Sequence, residues 1–168
     1  RVVRRTAAAE AGSFPGQLLC VNVHPLELKD DELASAASPL FGLARFVVLE
    51  VSERTLGTAG DGSTERVKRL RSLGFKIAID DFGSGEADVA ALERFEPDLV
   101  KLDLPFVRGL DADPARRAHV RSLAKTLHEL GIEIVAEGVE TPGERHAAID
   151  LGFDYLQGFL FGRPKPVS

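Results

Sequence analysis

Two adjacent aspartates, Asp80 and Asp81, are the residues of this sequence whose types and spacing first suggest chemistry. They follow the apolar run 77–79, which predicts a strand buried on both faces. Adjacent carboxylates repel each other, so we expect a cation nearby, and a divalent metal ion is the commonest such partner. Taken alone, the following Phe-Gly-Ser-Gly segment at 82–85 is explained equally well by an ordinary turn after a strand.

The same arrangement recurs along the chain, because each predicted strand ends in a carboxylate or an amide. Successive members of this set are 20 to 34 residues apart, which is about one strand–helix unit. In (β/α) barrels the carboxyl ends of the strands form the catalytic face. The recurrence therefore predicts a functional site built from Asn22, Glu50, Asp80, Asp103, Glu137 and Gln157.

The elements that must position these residues alternate between short apolar segments and amphipathic ones. The predicted strands cover residues 18–23, 46–51, 77–79, 99–102, 132–136 and 155–161. Predicted helices cover residues 2–11, 31–37, 64–73, 89–95 and 114–130, with a last helix opened by a capping box at Thr141 and ended by Gly152. This order predicts an α/β fold with a mainly parallel sheet.

Composition restricts the classes of function. A chain of 168 residues with a net charge of −5 predicts one soluble domain that does not bind DNA non-specifically. No apolar run is long enough to span a membrane, and no segment is typical of a signal peptide. The one cysteine, Cys20, is predicted to pack as a small apolar residue, and its lack of an internal disulfide partner fits a reducing cytoplasm.

The oxygen ligands come from four predicted strands and favour Mg²⁺ or Mn²⁺ over zinc. There are more of them than one ion needs, which indicates a two-metal site of the kind used in phosphoester hydrolysis. The predicted ligands are Asn22, Glu50, Asp80, Asp81 and Glu137.

Lys101 is the one obvious cation of the predicted site, and strand alternation sends it to the same face as Asp103. It would orient an attacking water or offset phosphate charge; a Schiff-base aldolase built on this lysine is a separate hypothesis. Two histidines, His24 and His128, are further candidates. His24 would have a peripheral role near the rim, whereas His128 is predicted to be structural.

With these residues identified, the chain resembles the EAL family, the bacterial phosphodiesterases that hydrolyse cyclic di-GMP. The matching motifs occur in the family's order and cover essentially the whole chain. They lie at residues 21–23 (VNV), 50–53 (EVSE), 79–85 (IDDFGSG), 101–103 (KLD), 136–140 (AEGVE) and 157–159 (QGF).

The resemblance implies a (β/α)8 TIM-barrel-like EAL fold that holds two Mg²⁺ or Mn²⁺ ions. By position, Lys101 is similar to the family's water-activating lysine, and Glu137 and Asp81 join it as predicted catalytic residues. Gln157 and Asp103 are predicted to lie near the substrate. Glu53 is similar to the residue that braces the loop after Asp81, a loop that the family uses at its dimer interface.

Two departures from the family pattern are expected to matter. The Glu-Ala-Leu motif and the first strand–helix units are absent, so roughly 80 residues of a barrel of about 250 would lie upstream of Arg1. The loop after Asp81 also carries two further acids, Glu86 and Asp88, where the family usually has Gly-Tyr-Ser-Ser.

The resemblance thus identifies residues 1–168 as the C-terminal two-thirds of a cyclic di-GMP phosphodiesterase domain that yields the linear dinucleotide pGpG. The resemblance also implies a homodimer, and a sensor or GGDEF-type domain could lie upstream. This chain alone is expected to cleave cyclic di-GMP slowly or not at all. The alternative is a degenerate, non-catalytic EAL domain that binds cyclic di-GMP or a protein partner.

A barrel without its first units would leave two strand edges unpaired, and unpaired edges recruit other chains. The 168-residue chain by itself is therefore expected to oligomerise, exchange a strand or dissolve poorly, which sedimentation velocity measures. A well-behaved monomer with a closed barrel would contradict this expectation.

Overall fold

The structure is a computed structural model that describes residues 2–10, 17–28, 30–54, 62–83 and 89–164. Its strands are β1 (Leu19–Asn22), β2 (Val47–Ser52), β3 (Lys76–Phe82), β4 (Leu99–Leu102), β5 (Glu133–Ala136) and β6 (Tyr155–Leu156). Its helices are α1 (Val2–Glu10), α2 (Pro25–Leu28), α3 (Ser63–Ser72), α4 (Val89–Phe95), α5 (Leu104–Val107), α6 (Pro114–Glu129) and α7 (Pro142–Asp150), with a 3₁₀ helix at Phe41–Phe46. In the part of the chain described here, no helix has the length and apolar character needed to cross a membrane.

The strands hydrogen-bond in the order of the sequence, from β1 to β6. The pairs β1–β2, β4–β5 and β5–β6 are parallel. Helices connect the strands, as parallel pairing requires, because a parallel partner cannot be reached by a tight hairpin. The predicted α/β architecture is therefore confirmed.

The chain forms two compact units, and the boundary between them falls inside β3. The first unit comprises Arg1–Ile79 and Ala87–Pro97. In it, Asn22 at the end of β1 lies in register with Glu50 of β2. Its fully buried apolar core includes Leu49, Val51, Val67, Ile77, Ile79 and Leu92.

The second unit comprises Asp80–Glu86 and Asp98–Ser168. Strand β4 pairs with β5 so that Lys101 lies in register with Val135. Helix α6 begins where predicted, since the Asp113 side chain accepts a hydrogen bond from the Arg116 amide and Pro114 occupies the first turn. The fully buried core of this unit includes Val100, Leu102, Val120, Leu127, Ile134 and Ala136.

The predicted helix at Asp31–Ala37 is wrong, because this segment forms a series of turns. The side chains of Asp30 and Ser35 accept hydrogen bonds from the backbone amides two residues on, Glu32 at 3.0 Å and Ala37 at 3.2 Å. Such local bonds offer the backbone an alternative to helical pairing.

Two further expectations are corrected. Cys20 is exposed, because β1 alternates and buries Val21 on the opposite face. The last strand contains only Tyr155 and Leu156, and Gln157 follows it rather than lying within it. A run of apolar letters does not indicate which face of a strand is covered.

The capping box at the start of α7 is confirmed, and Glu144 does more than close it. The carboxylate of Glu144 accepts hydrogen bonds from the backbone amides of Glu140 (2.9 Å), Thr141 (3.1 Å) and Gly109 (3.1 Å). Burial acts to raise the pKa of Glu144, but these three amides, helped by the charge of Arg108, outweigh it and lower the pKa below its usual value. Glu144 therefore ties the loop before α6 to the start of α7.

We expect Glu144→Gln to lower the free energy of unfolding by about 1–3 kcal/mol at pH 7, since a charged acceptor is lost from a buried site. A lowered folded-state pKa stabilises the fold above the unfolded value of about 4.3, and this contribution is lost as the pH falls through the folded value. The difference between wild type and variant should therefore shrink in acid, as measured by urea unfolding at decreasing pH. Glu93→Gln, at an exposed position on α4, is the control; an equal loss at every pH would refute the assignment.

Candidate functional site

Strand β3 contains the two aspartates near its carboxyl end and continues to Phe82, so they lie inside the strand rather than after it. Ile77 and Ile79 are fully buried and anchor the strand, whereas Asp80 is half-buried and Asp81 exposed. Asp81 has a φ of 56°, in the left-handed region that residues with side chains rarely adopt. The backbone is therefore bent at the second carboxylate.

Lys101 in β4 makes ion pairs with two carboxylates. Its Nζ lies 2.9 Å from Asp80 Oδ1 and 2.8 Å from Glu137 Oε1. The side chain of Lys101 is only 8% exposed, and its neighbours in the strand, Val100 and Leu102, are fully buried. These two carboxylates hold the ammonium from different segments of the chain, because Asp80 belongs to β3 and Glu137 follows β5.

Glu137 follows β5 directly, and its amide donates to the carbonyl of Leu102 at 3.1 Å. Asp80, Asp81 and Glu137 each offer an oxygen atom, and these atoms all lie within 4.8 Å of one another. Three ionised carboxylates beside one ammonium leave a formal charge of −2. Hard oxygen donors with excess negative charge match the ligand preference of Mg²⁺, Mn²⁺ or Ca²⁺, so the residues present fit a divalent ion.

Two other predicted ligands, Asn22 and Glu50, belong to the first compact unit and lie side by side in β1 and β2. Glu50 is buried, and its carbonyl accepts from the Val23 amide at 2.8 Å. That these two residues share an ion with Asp80 stays a prediction. Glu53 is also buried, but the loop that it was predicted to brace, with Glu86 and Asp88, lies outside the described residues.

The two predicted substrate residues occupy different environments. The carboxylate of Asp103 accepts from the Leu104 amide at 2.6 Å and so caps α5. Gln157 is exposed, and its backbone pairs with the Ala136 carbonyl at 2.8 Å and the Val139 amide at 3.0 Å. The backbone of Gln157 is thus held beside the segment that carries Glu137.

Each of these two histidines has a hydrogen-bond partner that suits a structural role. His24 Nδ1 accepts from the Leu26 amide at 3.2 Å in the turn that precedes α2. His128 Nε2 lies 3.0 Å from Asp154 Oδ2, which also accepts from the Ile134 amide at 2.8 Å.

Sequence reasoning missed the one-turn helix α5, which follows Asp103. Leu104 contacts the backbone at Gly138 and Phe106 contacts it at Gly83. The sequence signal for this packing was a glycine soon after each carboxylate: Gly138 follows Glu137 directly, and Gly83 lies two residues after Asp81. Glycine permits close approach of another chain segment.

The EAL domain family model matches residues 1–164. The chain belongs to the EAL domain family. It is 38% identical over 154 residues to the cyclic di-GMP phosphodiesterase RocR of Pseudomonas aeruginosa, covering 88% of this chain and 39% of RocR. It is 31% identical over 166 residues to the cyclic di-GMP phosphodiesterase PdeF of Escherichia coli, covering 95% of this chain and 22% of PdeF. The chain therefore spans less than half the length of these relatives.

The EAL fold is also shown by solved structures. Klebsiella pneumoniae BlrP1, in a manganese and cyclic di-GMP complex, matches with a TM-score of 0.85 and 37% identity, over 94% of this chain and 42% of that one. The predicted EAL architecture, of the (β/α) barrel type, is thereby confirmed, as is the family identified from the order of the motifs.

Asp80→Asn keeps the shape of the side chain but removes one of the three clustered charges. We expect Mn²⁺ binding, measured by calorimetry, to be lost while the fold stays intact, because Glu137 still pairs with Lys101. Asp150→Asn, an exposed aspartate on α7, should bind Mn²⁺ normally. Unchanged binding in Asp80→Asn would show that the cluster is not the metal site.

Proposed function

We propose that this EAL domain hydrolyses cyclic di-GMP to the linear dinucleotide pGpG with the help of two divalent ions, Mg²⁺ or Mn²⁺. The observation that supports the proposal is the buried Lys101 ammonium, held between two carboxylates of a three-carboxylate cluster. The names of the relatives supply the substrate.

The proposed metal ligands are Asp80, Asp81 and Glu137 in the cluster, together with Asn22 and Glu50 from the neighbouring strands β1 and β2. Bound divalent ions would supply Lewis-acid activation of water and neutralise charge on the phosphate. The chain needs such ions because its net charge of −5 repels a phosphodiester.

In the proposed reaction, water adds to phosphorus and the bond from phosphorus to one ribose 3′ oxygen breaks. Lys101 Nζ would donate a hydrogen bond to the attacking water and orient it. Glu137 Oε1, 2.8 Å from that nitrogen, would accept the one proton that the water loses, and Asp81 would help to orient the water by accepting a hydrogen bond from it. The leaving 3′ oxygen takes up a proton, so one phosphodiester is opened and the linear dinucleotide is released.

Gln157 and Asp103 are proposed to contact the nucleotide, and Glu53 to brace the loop after Asp81. We also propose that the domain, residues 1–168, works as a homodimer within a longer protein that carries a sensor or GGDEF-type domain. The coverage of the relatives supports the last point, because each is much longer than this chain.

The aldolase hypothesis is disfavoured by the same geometry. Schiff-base formation needs a neutral amine, whereas two carboxylates within 2.9 Å of Nζ favour the charged ammonium. Borohydride trapping with a carbonyl substrate would test this alternative directly.

Lys101→Ala should reduce kcat by about 10²- to 10⁴-fold, the range for loss of a residue that acts on the attacking water. Nucleotide binding, measured by equilibrium dialysis, should be retained. Product is followed by chromatography with Mn²⁺ present, in the intact protein, and Lys125→Ala, an exposed lysine on α6, is the control. Full activity in Lys101→Ala would overturn the assignment, and binding without cleavage in wild type would identify the degenerate alternative.

A further inference from the structure

The one-turn helix α5 (Leu104–Val107) follows the Lys101-Leu102-Asp103 motif without a break. Asp103 caps it, and Val107 is fully buried, so its position is coupled to that of β4. Two of its side chains, Leu104 and Phe106, contact glycines that lie beside carboxylates of the cluster.

Phe106 lies against Gly83, two residues after Asp81. Gly83 has a φ of +91°, and a Cβ placed there would overlap the Phe106 ring. The ring also stacks on His119 of α6, with centroids 6.0 Å apart and planes 23° from parallel. Phe106 therefore contacts both the chain that leaves Asp81 and helix α6.

Leu104 lies against Gly138, the residue after Glu137. Gly138 has a φ of +69°, and a Cβ there would overlap Leu104 Cδ1. Leu104 is 37% exposed, so burial by itself does not explain why an apolar side chain occupies this position. Leu104 therefore contacts the backbone turn that follows Glu137 at the end of β5.

The backbone at Asp81 shows why such support is needed. A residue with a side chain in the left-handed region is strained, and this conformation persists where its surroundings enforce it. Asp81 has a φ of 56°, and Phe82, next in the chain, is buried. The contact between Gly83 and Phe106 limits how far this bend can relax.

We propose that Leu104 and Phe106 are positioning residues that hold Glu137 and Asp81, respectively, at the spacing a shared divalent ion requires. The proposal rests on the proposed function for its metal, but the packing contacts stand without it. Outer-shell groups that hydrogen-bond to metal ligands typically change metal affinity by about 10- to 100-fold when replaced, and we expect an effect of the same order from these packing residues.

The test compares Phe106→Ala and Leu104→Ala in the intact protein. Each should weaken Mn²⁺ binding, measured by calorimetry, by about 10- to 100-fold. Phe106→Tyr and Leu104→Met, which retain the contacting bulk, should restore it. Leu130→Ala removes a leucine of equal exposure, 37%, at the end of α6 and should leave Mn²⁺ affinity unchanged. If Phe106→Ala does not fold, Phe106→Leu replaces it.

A second readout needs no metal. In the metal-free protein, Phe106→Ala should shift the amide resonances of Asp81 and Gly83, and Leu104→Ala those of Glu137 and Gly138. Each variant should leave the other pair nearly unchanged, a separation that a general loss of stability would not produce.

The outcomes distinguish the two proposals. If wild type binds no Mn²⁺, the proposed function fails, and the amide shifts alone decide the positioning role. Unchanged Mn²⁺ affinity in both alanine variants of a metal-binding wild type overturns the inference. So does an equal loss of affinity in Leu130→Ala, or the absence of the paired amide shifts.

Discussion

The ammonium of Lys101, paired with Asp80 at 2.9 Å and Glu137 at 2.8 Å, is the interaction on which the second compact unit depends. A buried charge is tolerated only where opposite charges compensate it, and here all three side chains are less than a fifth exposed. With Asp81 added, the cluster still carries excess negative charge. The carboxylates that stabilise the lysine therefore also favour the binding of a further cation.

Parallel strands bring these groups together because neighbouring strands lie only about 4.8 Å apart. Residues at the ends of β3, β4 and β5 become neighbours although they are distant in sequence. The glycines at 83 and 138 then turn the chain away with positive φ angles and leave room for α5. Rigid strands and a packed helix hold a site more accurately than free loops do.

The proposed function places an anionic dinucleotide beside a cluster of acidic side chains, which is unfavourable for charge. Clustered carboxylates repel the substrate when empty, and they attract it only through bound cations. Membership of the family and the carboxylate geometry support this account for the present chain. The position of Lys101 among the carboxylates adds a charge that remains when no ion is bound.

Much of this protein was determined by its sequence alone. Apolar periodicity and caps identified most strands and helices, and the order of motifs identified the family, because both are encoded locally. Other features depended on tertiary structure. The exposure of Cys20 depends on which face of β1 is covered. The turns at 31–40 depend on side-chain hydrogen bonds that compete with helical pairing. Lys101 pairs with Asp80 and Glu137, and α5 packs on Gly83 and Gly138. These contacts are between residues distant in sequence, so only the folded chain could reveal them.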